Sequence, residues 1–417
     1  MHVFSRFALT FCLISGLSGF AASAEASPYR QRVEKQFRAW VNGPLWREAN
    51  SRGLTRRTFD LALGGLKLNW RLPDLRPPGV AAKVPRVQRQ AEFGSPGLYF
   101  KESRLNGLVG QGRRLLAKWK PTLARIEKTY GVPRGIVVAI WGRESGFGKA
   151  RLRHKALRAL ATQAFMGRRR DFFHEELLAA IQILQEGHIS LKQMMSSWSG
   201  ALGQPQFLPS KFLQYAVDFD GDGKRDIWHS VPDSLASIAN YLRKHGWQPG
   251  RDWGFEANVP QTVSCALEGP DKGNSFADWA ALGVTRVNGK PFPAKEKQQT
   301  GFLLMPAGRL GPAYIATKNF YILKTYNESD LYALFIGHLK DRFAANRPFV
   351  RKWKKIGGFS RHRVQLMQER LEKKGHDVGG ADGLVGFKTR VAVGRWQSLN
   401  GLAATCFPDS GLIRRIR

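Results

Sequence analysis

The run Gly131-Val-Pro-Arg-Gly-Ile-Val-Val-Ala-Ile-Trp-Gly-Arg-Glu-Ser-Gly-Phe-Gly148 decides how this chain is read. Pro133 opens a helix, because its missing N–H costs nothing in a first turn. Ile136, Val137, Ala139, Ile140 and Trp141 make that helix apolar around most of its girth, the pattern of a central, buried element. Glu144 ends it, on the face of Ile140 and Trp141. The helix dipole at a C-terminus and burial both disfavour a negative charge there. Both push the carboxyl pKa up, as a general acid near neutral pH requires. On position alone, an ordinary last-turn Glu that reaches solvent or pairs with Lys149 stands beside that reading.

Acids are scarce around it: 66 Lys plus Arg face 32 Asp plus Glu in 417 residues, a net charge of +34. An apolar fraction of 43% with 12 Trp and 26 Phe excludes a disordered chain, and the length suits one large core with a small second domain. Residues 1–24 read as a cleaved export signal, with a basic start (His2, Arg6), an apolar stretch from Phe7 to Phe20 and then Ala22-Ser-Ala24. Cys12 lacks the Leu-x-Gly of a lipoprotein signal, so no lipid anchor is expected. No later segment has the roughly 18 uninterrupted apolar residues of a membrane span. Export together with strong basicity points to a polyanionic cell-wall polymer or an anionic membrane face. No nucleic-acid partner is expected, since zinc-finger spacing and strand-borne aromatic pairs are missing. Cys265 and Cys406 remain after signal removal, in different expected domains; one disulfide is open to them, and no cysteine metal site is.

Along the chain, residues 29–66 read as helical, 69–97 as an extended Pro/Arg-rich crossing, 107–130 as one long amphipathic helix and 154–187 as helical. Ser230-Val-Pro-Asp233 reads as a capping box, with Asp233 in the reciprocal role, opening a helix to His245. Residues 250–325 are Gly- and Pro-rich, with short apolar runs at 301–305 and 321–324, and read as a β-containing insert. A helix after Ser329 closes the large domain, 346–358 is a basic linker, and 360–417 form a small helical unit.

The segment Ser196-Ser-Trp-Ser-Gly-Ala-Leu-Gly-Gln-Pro-Gln-Phe-Leu-Pro-Ser210 is dense in small residues, amides and hydroxyls. It suits a sugar groove, with Ser197, Gln204 and Gln206 as hydrogen-bonding groups and Trp198 or Phe207 as a stacking face. A helix–turn–helix junction with buried caps is the alternative. Asp218-Phe-Asp-Gly-Asp-Gly-Lys-Arg-Asp226 has the start of a calcium loop. Asp218, Asp220 and Asp222 fall at its first three ligand positions, the Lys224 carbonyl and Asp226 at the next two, and Asp233 is available to close it. The loop's last position holds His229 where Glu is usual. A structural calcium or other hard cation is expected there; the alternative is an Asp-rich turn held by Arg225.

These motifs together resemble the lytic murein transglycosylase B family, whose members cleave bacterial peptidoglycan. The resemblance rests on Tyr130-Gly-Val-Pro133 with Trp141-Gly-Arg-Glu-Ser145, and on Ala159-Leu-Ala-Thr-Gln-Ala-Phe165 with Arg168-Arg169. It continues in Gly200-Ala-Leu-Gly-Gln-Pro-Gln-Phe-Leu-Pro-Ser210, Tyr215-Ala-Val-Asp-Phe-Asp-Gly-Asp-Gly223, Ser237-Ile-Ala-Asn-Tyr241, and Tyr326-Asn327. It implies a mainly α fold: a lysozyme-like catalytic domain over 25–350 with a small β-containing insert, then a linker and a small three-helix C-terminal domain over 351–417. The C-terminal part resembles a peptidoglycan-binding module, although Gly394 sits mid-helix, where Gly costs about 1 kcal/mol.

The resemblance makes Glu144 the single catalytic acid/base. It makes Ser197, Gln206, Phe207 and Tyr241 groove residues, and Tyr326, Asn327 and Tyr332 the far wall. Arg168 and Arg169 become the pair that meets substrate carboxylates, and a loose match near Tyr99 suggests a further subsite. Hydrolytic glycosidases normally need two carboxylates, and no second acid here has a comparable apolar setting in the sequence. The resemblance implies a non-hydrolytic route forming 1,6-anhydroMurNAc ends, with no cofactor for the chemistry, and such a route needs no second acid. Plain hydrolysis of the same bond and a non-catalytic wall-binding protein are the alternatives. The expected setting is the periplasm. The expected partners are peptidoglycan strands and wall-remodelling proteins, with the chain a monomer.

Overall fold

The computed structural model describes residues 27–80, 95–356 and 359–416. The expected export signal at 1–24 and residues 81–94 of the Pro/Arg-rich segment lie outside the described residues.

The N-terminal helices are α1 (Pro28–Trp40), α2 (Trp46–Ser51) and α3 (Arg56–Leu63). The single helical stretch expected over 29–66 is interrupted by a π-helical turn, Val41–Leu45, which holds Pro44. Proline has no N–H to give to the ladder, so the chain widens locally. The long helix expected to Tyr130 is likewise two, α4 (Glu102–Lys118) and α5 (Lys120–Tyr130). Trp119 leaves helical dihedrals between them, and Pro121 sits in the first turn of α5, where its missing N–H is harmless.

Helix α6 (Arg134–Ser145) runs through the centre: every residue from Ile136 to Gly142 is buried. Each of its larger apolar side chains contributes about 1.5–3 kcal/mol by leaving water. Helices α4, α5 and α10 (Val231–Lys244) pack on it, and α7 (Ala156–Met166), α8 (Arg170–Gln185) and α9 (Pro209–Tyr215) share the same hydrophobic core. A short antiparallel pair, β1 (His154–Lys155) with β2 (Met195–Ser196), ties the start of α7 to the groove segment. Ser230 caps α10 by accepting from the Asp233 amide, but the reciprocal half of the expected capping box is absent. The Asp233 carboxylate turns instead to the amides of Phe219, Asp220 and Asp226 and organises the acidic loop.

The insert is an antiparallel five-stranded sheet in the order β4 (Asn274–Ser275), β6 (Thr300–Leu304), β8 (Ala313–Ala316), β3 (Gly254–Asn258), β5 (Thr285–Arg286). Helix α11 (Phe276–Ala281) and strand β7 (Pro306–Arg309) complete it. The apolar run at 321–324 is not part of it. Thr317 caps a helix there, α12 (Lys318–Asn327), whose Phe320 and Leu323 are buried one turn apart. So short an apolar run fits either element. Helix α13 (Asp330–Ala344) returns to pack on α6.

The C-terminal unit has three helices, α14 (Arg361–Lys373), α15 (Phe387–Leu399) and α16 (Ser410–Arg415). It does not stand apart. Cys265 of the insert and Cys406 form a disulfide, with Cα atoms 6.2 Å apart. Cys406 packs in the insert's core, and Ala307 of the insert packs in the C-terminal core. The mid-helix Gly394 is explained by this junction: a Cβ there would lie 2.0 Å from the Cys406 sulfur. Among the described residues, no helix is long and apolar enough to cross a membrane.

Candidate active site

Helix α6 ends at Ser145, and Gly146 takes the left-handed conformation just past it. This delivers Glu144 to the edge of the core, partly open, with its helix buried behind it. Gly148 then approaches the groove segment so closely that a Cβ would sit 2.5 Å from Gln204 Oε1. That oxygen accepts from Trp141 Nε1 at 2.8 Å, while Gln204 Nε2 donates to the Trp228 carbonyl at 3.1 Å. Gln204 is therefore a lock between groove and central helix, and not the sugar ligand expected from sequence.

The Tyr332 hydroxyl donates to Glu144 Oε1 at 2.6 Å. Tyr332 is buried and stacks nearly parallel to Tyr326, with ring centroids 6.2 Å apart. Tyr326 donates to the Pro205 carbonyl at 2.8 Å and Tyr241 to the Thr325 carbonyl at 2.7 Å, so both rings are pinned to backbone. Phe207 packs against both Tyr241 and Tyr326 and is buried. It backs the wall; the exposed aromatic of the segment is Trp198. Gln206 holds φ at +56°, left-handed backbone for a non-glycine residue, and its amide donates to the Gly203 carbonyl at 2.8 Å. Ser197 accepts from the Ala201 amide at 3.1 Å and closes the turn beside it.

Burial pushes the Glu144 carboxyl above the ordinary range, against the lowering pull of the Tyr332 hydrogen bond, Arg143 and Lys211. Burial pushes the Tyr332 hydroxyl far higher, helped by Glu144 itself, so it remains a donor at any working pH. Arg143 does not pair with Glu144. Its guanidinium donates to the Tyr99 hydroxyl at 2.6 Å and lies over the Tyr99 and Phe335 rings.

Lys211 carries no motif signal, standing one residue past the groove segment, yet the fold brings it to this site. Its ammonium reaches the Tyr241 hydroxyl at 3.4 Å and lies 5.0 Å from that ring's centroid. Burial lowers its pKa, against the raising pull of Glu328, Glu176 and Glu144. Buried acids are also more common than the sequence suggests: Glu176, Asp233, Glu268 and Glu296 are withdrawn from water, and Asp330 is largely so. Each is already engaged. Glu176 accepts from Ser210, Glu296 pairs with Arg251, and Glu268 and Asp330 share Arg390.

The remaining expected residues lie in other surroundings. Arg168 faces Asp74 at 3.5 Å, and Arg169 lies over Phe172 and Phe173, both at the α7–α8 junction. Asn327 is exposed at the end of α12. In the acidic loop, Asp218, Asp220 and Asp222 bring carboxylate oxygens within 4.8 Å of one another. Asp218 also accepts from the Gly221 and Gly223 amides. That set of hard oxygen donors on a tight turn fits a calcium ion. The Asp226 carboxylate is taken up by the amides of Trp228 and His229 and by the His229 ring, and Asp233 by the loop backbone. Lys224 has only its backbone carbonyl to offer.

Residues 36–341 match the transglycosylase SLT domain family, and residues 360–416 a peptidoglycan binding domain family. The chain is 32% identical over 237 residues to membrane-bound lytic murein transglycosylase B of Escherichia coli K12; the match takes in 55% of this chain and 62% of that protein, under two thirds of its length. SltB3 from Pseudomonas aeruginosa, solved in complex with NAG-anhNAM-pentapeptide, is 37% identical, with a TM-score of 0.80 over 91% of this chain and 99% of that one. Escherichia coli Slt35, solved in complex with calcium, is 26% identical, with a TM-score of 0.56 over 77% of this chain and 94% of that one. The fold is accordingly a mainly helical, lysozyme-like transglycosylase fold with a sheet insert and a small C-terminal helical domain.

Proposed function

The chain belongs to the transglycosylase SLT domain family, and on that premise we propose that it is a peptidoglycan lytic transglycosylase, cleaving the β-1,4 bond between MurNAc and GlcNAc and leaving 1,6-anhydroMurNAc ends. The observation that carries this is the Glu144–Tyr332 pair: one carboxyl whose pKa burial raises, with one strong donor on its Oε1. The complex of SltB3 with NAG-anhNAM-pentapeptide supports the same product class.

Glu144, protonated because burial raises its pKa, gives its proton to the glycosidic oxygen, and the C1–O bond breaks with GlcNAc leaving as the 4-hydroxyl. The substrate's own N-acetyl carbonyl stabilises the positive charge at C1. Tyr332 occupies Oε1 and steadies the carboxylate formed in this half of the reaction. The Lys211 cation favours the same charged form. Glu144 then takes the proton from the MurNAc 6-hydroxyl as O6 bonds to C1. Protons balance, and no water enters.

Ser197, Gln206, Phe207, Tyr241, Tyr326 and Asn327 form the groove, with Arg168 and Arg169 meeting peptide-stem carboxylates further along it. Residues 25–350 form the catalytic region, and 351–417 the linker and wall-binding module. Calcium at Asp218, Asp220 and Asp222 would brace the acidic loop against α10 and takes no part in the chemistry. The enzyme acts in the periplasm as a monomer beside the wall-synthesis machinery. Digestion of purified peptidoglycan followed by mass analysis tests the reaction type. Muropeptides one water lighter than muramidase products are expected; reducing MurNAc ends would identify a hydrolase instead.

A further inference from the structure

Buried charges that the reaction does not use join the C-terminal unit to the groove. Arg390 on α15 is 3% exposed. It donates to Glu268 of the insert twice, Nε to Oε2 at 2.9 Å and Nη2 to Oε1 at 2.7 Å. The same Nη2 reaches Asp330 Oδ2 at 2.9 Å. Asp330 is the first residue of α13, and its other oxygen takes Lys324 of α12 at 2.8 Å. Within that first turn the Tyr332 amide is capped by Ser329 Oγ at 3.2 Å, and the Tyr332 hydroxyl holds Glu144. The junction borders a cavity of about 500 Å³ lined by Asn327, Glu328, Asp330, Phe387 and Arg390.

A buried ion triad adds little adhesion over an apolar contact of the same size, because each charge must be dehydrated. What it adds is direction: a planar guanidinium fixes its carboxylates in angle as well as distance. The unit already has adhesion from the Cys265–Cys406 disulfide and from the Arg309 amide donating to the Thr405 carbonyl at 2.8 Å. From these contacts we infer that Arg390 is a positioning residue of the active site, fixing Asp330 and, through the first turn of α13, the Tyr332 hydroxyl against Glu144. The C-terminal unit thus serves the reaction itself as well as wall binding. The inference rests on the reading of Glu144 as the acid/base.

Asp330 is faced by Arg390 and Lys324, with Glu268 and Tyr321 nearby. Burial raises its carboxyl, but the two cations outweigh that and hold it below its ordinary value, so it stays charged at neutral pH. Glu144 is faced by Tyr332, Tyr326, Arg143 and Lys211. Of these, Tyr332 is the group that movement of the α13 start would displace.

The test compares the full-length wild type with Arg390→Gln and Arg390→Lys on soluble, peptide-bearing glycan oligomers, which need no wall anchoring. In Arg390→Gln, kcat is expected to fall about tenfold with KM within about twofold. The alkaline limb of kcat/KM should move up by about half to one pH unit, since Glu144 loses a donor to its charged form. Arg390→Lys, with a point charge that cannot span both carboxylates, should fall between. Should Arg390→Gln fail to fold, Asp330→Asn carries the same expectation while leaving the Arg390–Glu268 pair in place. An unshifted pH limb in a folded variant overturns the inference and leaves the triad a structural contact. A wild type inactive on these oligomers overturns the functional reading, and the inference with it.

Discussion

Glu144→Gln is expected to abolish release of sugar fragments from purified peptidoglycan, by about a thousandfold or more, while binding to the polymer persists. The amide keeps the shape of the carboxyl, and its carbonyl oxygen can still accept from Tyr332, so the pinned aromatic wall should stay in place. What it loses is the ability to give a proton and then take one. In a two-carboxylate glycosidase a second acid stands close by as base or nucleophile. Here Glu176, Glu268, Glu296 and Asp330 are each occupied by an arginine or a serine, and the other acid near Lys211 and Tyr241, Glu328, is exposed. Release measured beside pelleting separates the readings. Near-normal release by Glu144→Gln would sink the mechanism, whereas loss of both release and pelleting would mean only that the groove had collapsed.

Gly394→Ala should destabilise the protein by about 2–3 kcal/mol, the reverse of the usual gain of about 1 kcal/mol for this change inside a helix. The reason is the disulfide. The new methyl would sit 2.0 Å from the Cys406 sulfur and 3.5 Å from that of Cys265, where α15 packs against the Cys265–Leu267 turn of the insert. Neither the helix nor the bridge can yield without opening the junction. The sign should flip in a Cys265→Ala/Cys406→Ala background, where the sulfur is gone and only the helix propensity remains. Thermal unfolding of the four proteins checks both halves. A stabilising Gly394→Ala with the cysteines present would show that this junction is not packed as described.

Much of this molecule was legible in its residues, and the reasons are local. The apolar girth of 136–141 announced a central helix, and Gly146 placed its end, so Glu144 stood out before any fold was known. Helix breaks at Pro44 and Trp119 were harder to see. The amphipathic period continues across them, and a single proline decides whether a turn widens or a helix restarts. Short apolar runs misled in the insert, because 321–324 is as compatible with a helix turn as with a strand until the Thr317 cap is recognised. The site's wiring was the least visible. Gln204 looks like a sugar ligand by type but is spent on Trp141 and Trp228. Lys211 enters the groove only because α9 folds beneath α10. The Glu268–Arg390–Asp330 triad joins residues as far as 122 positions apart, a pairing that no periodicity encodes. Gly394 looked like a flaw in a helix and is the space that a sulfur requires.

The central claim is that Glu144 works both ways, on a substrate whose own hydroxyl is the nucleophile. Digestion of peptidoglycan in heavy-oxygen water tests it most directly, because a hydrolase must place solvent oxygen on the newly freed C1. The prediction is that muropeptides released by the wild type carry no heavy oxygen at that carbon and end in the anhydro ring. One heavy oxygen incorporated at C1 for each bond cleaved would contradict it.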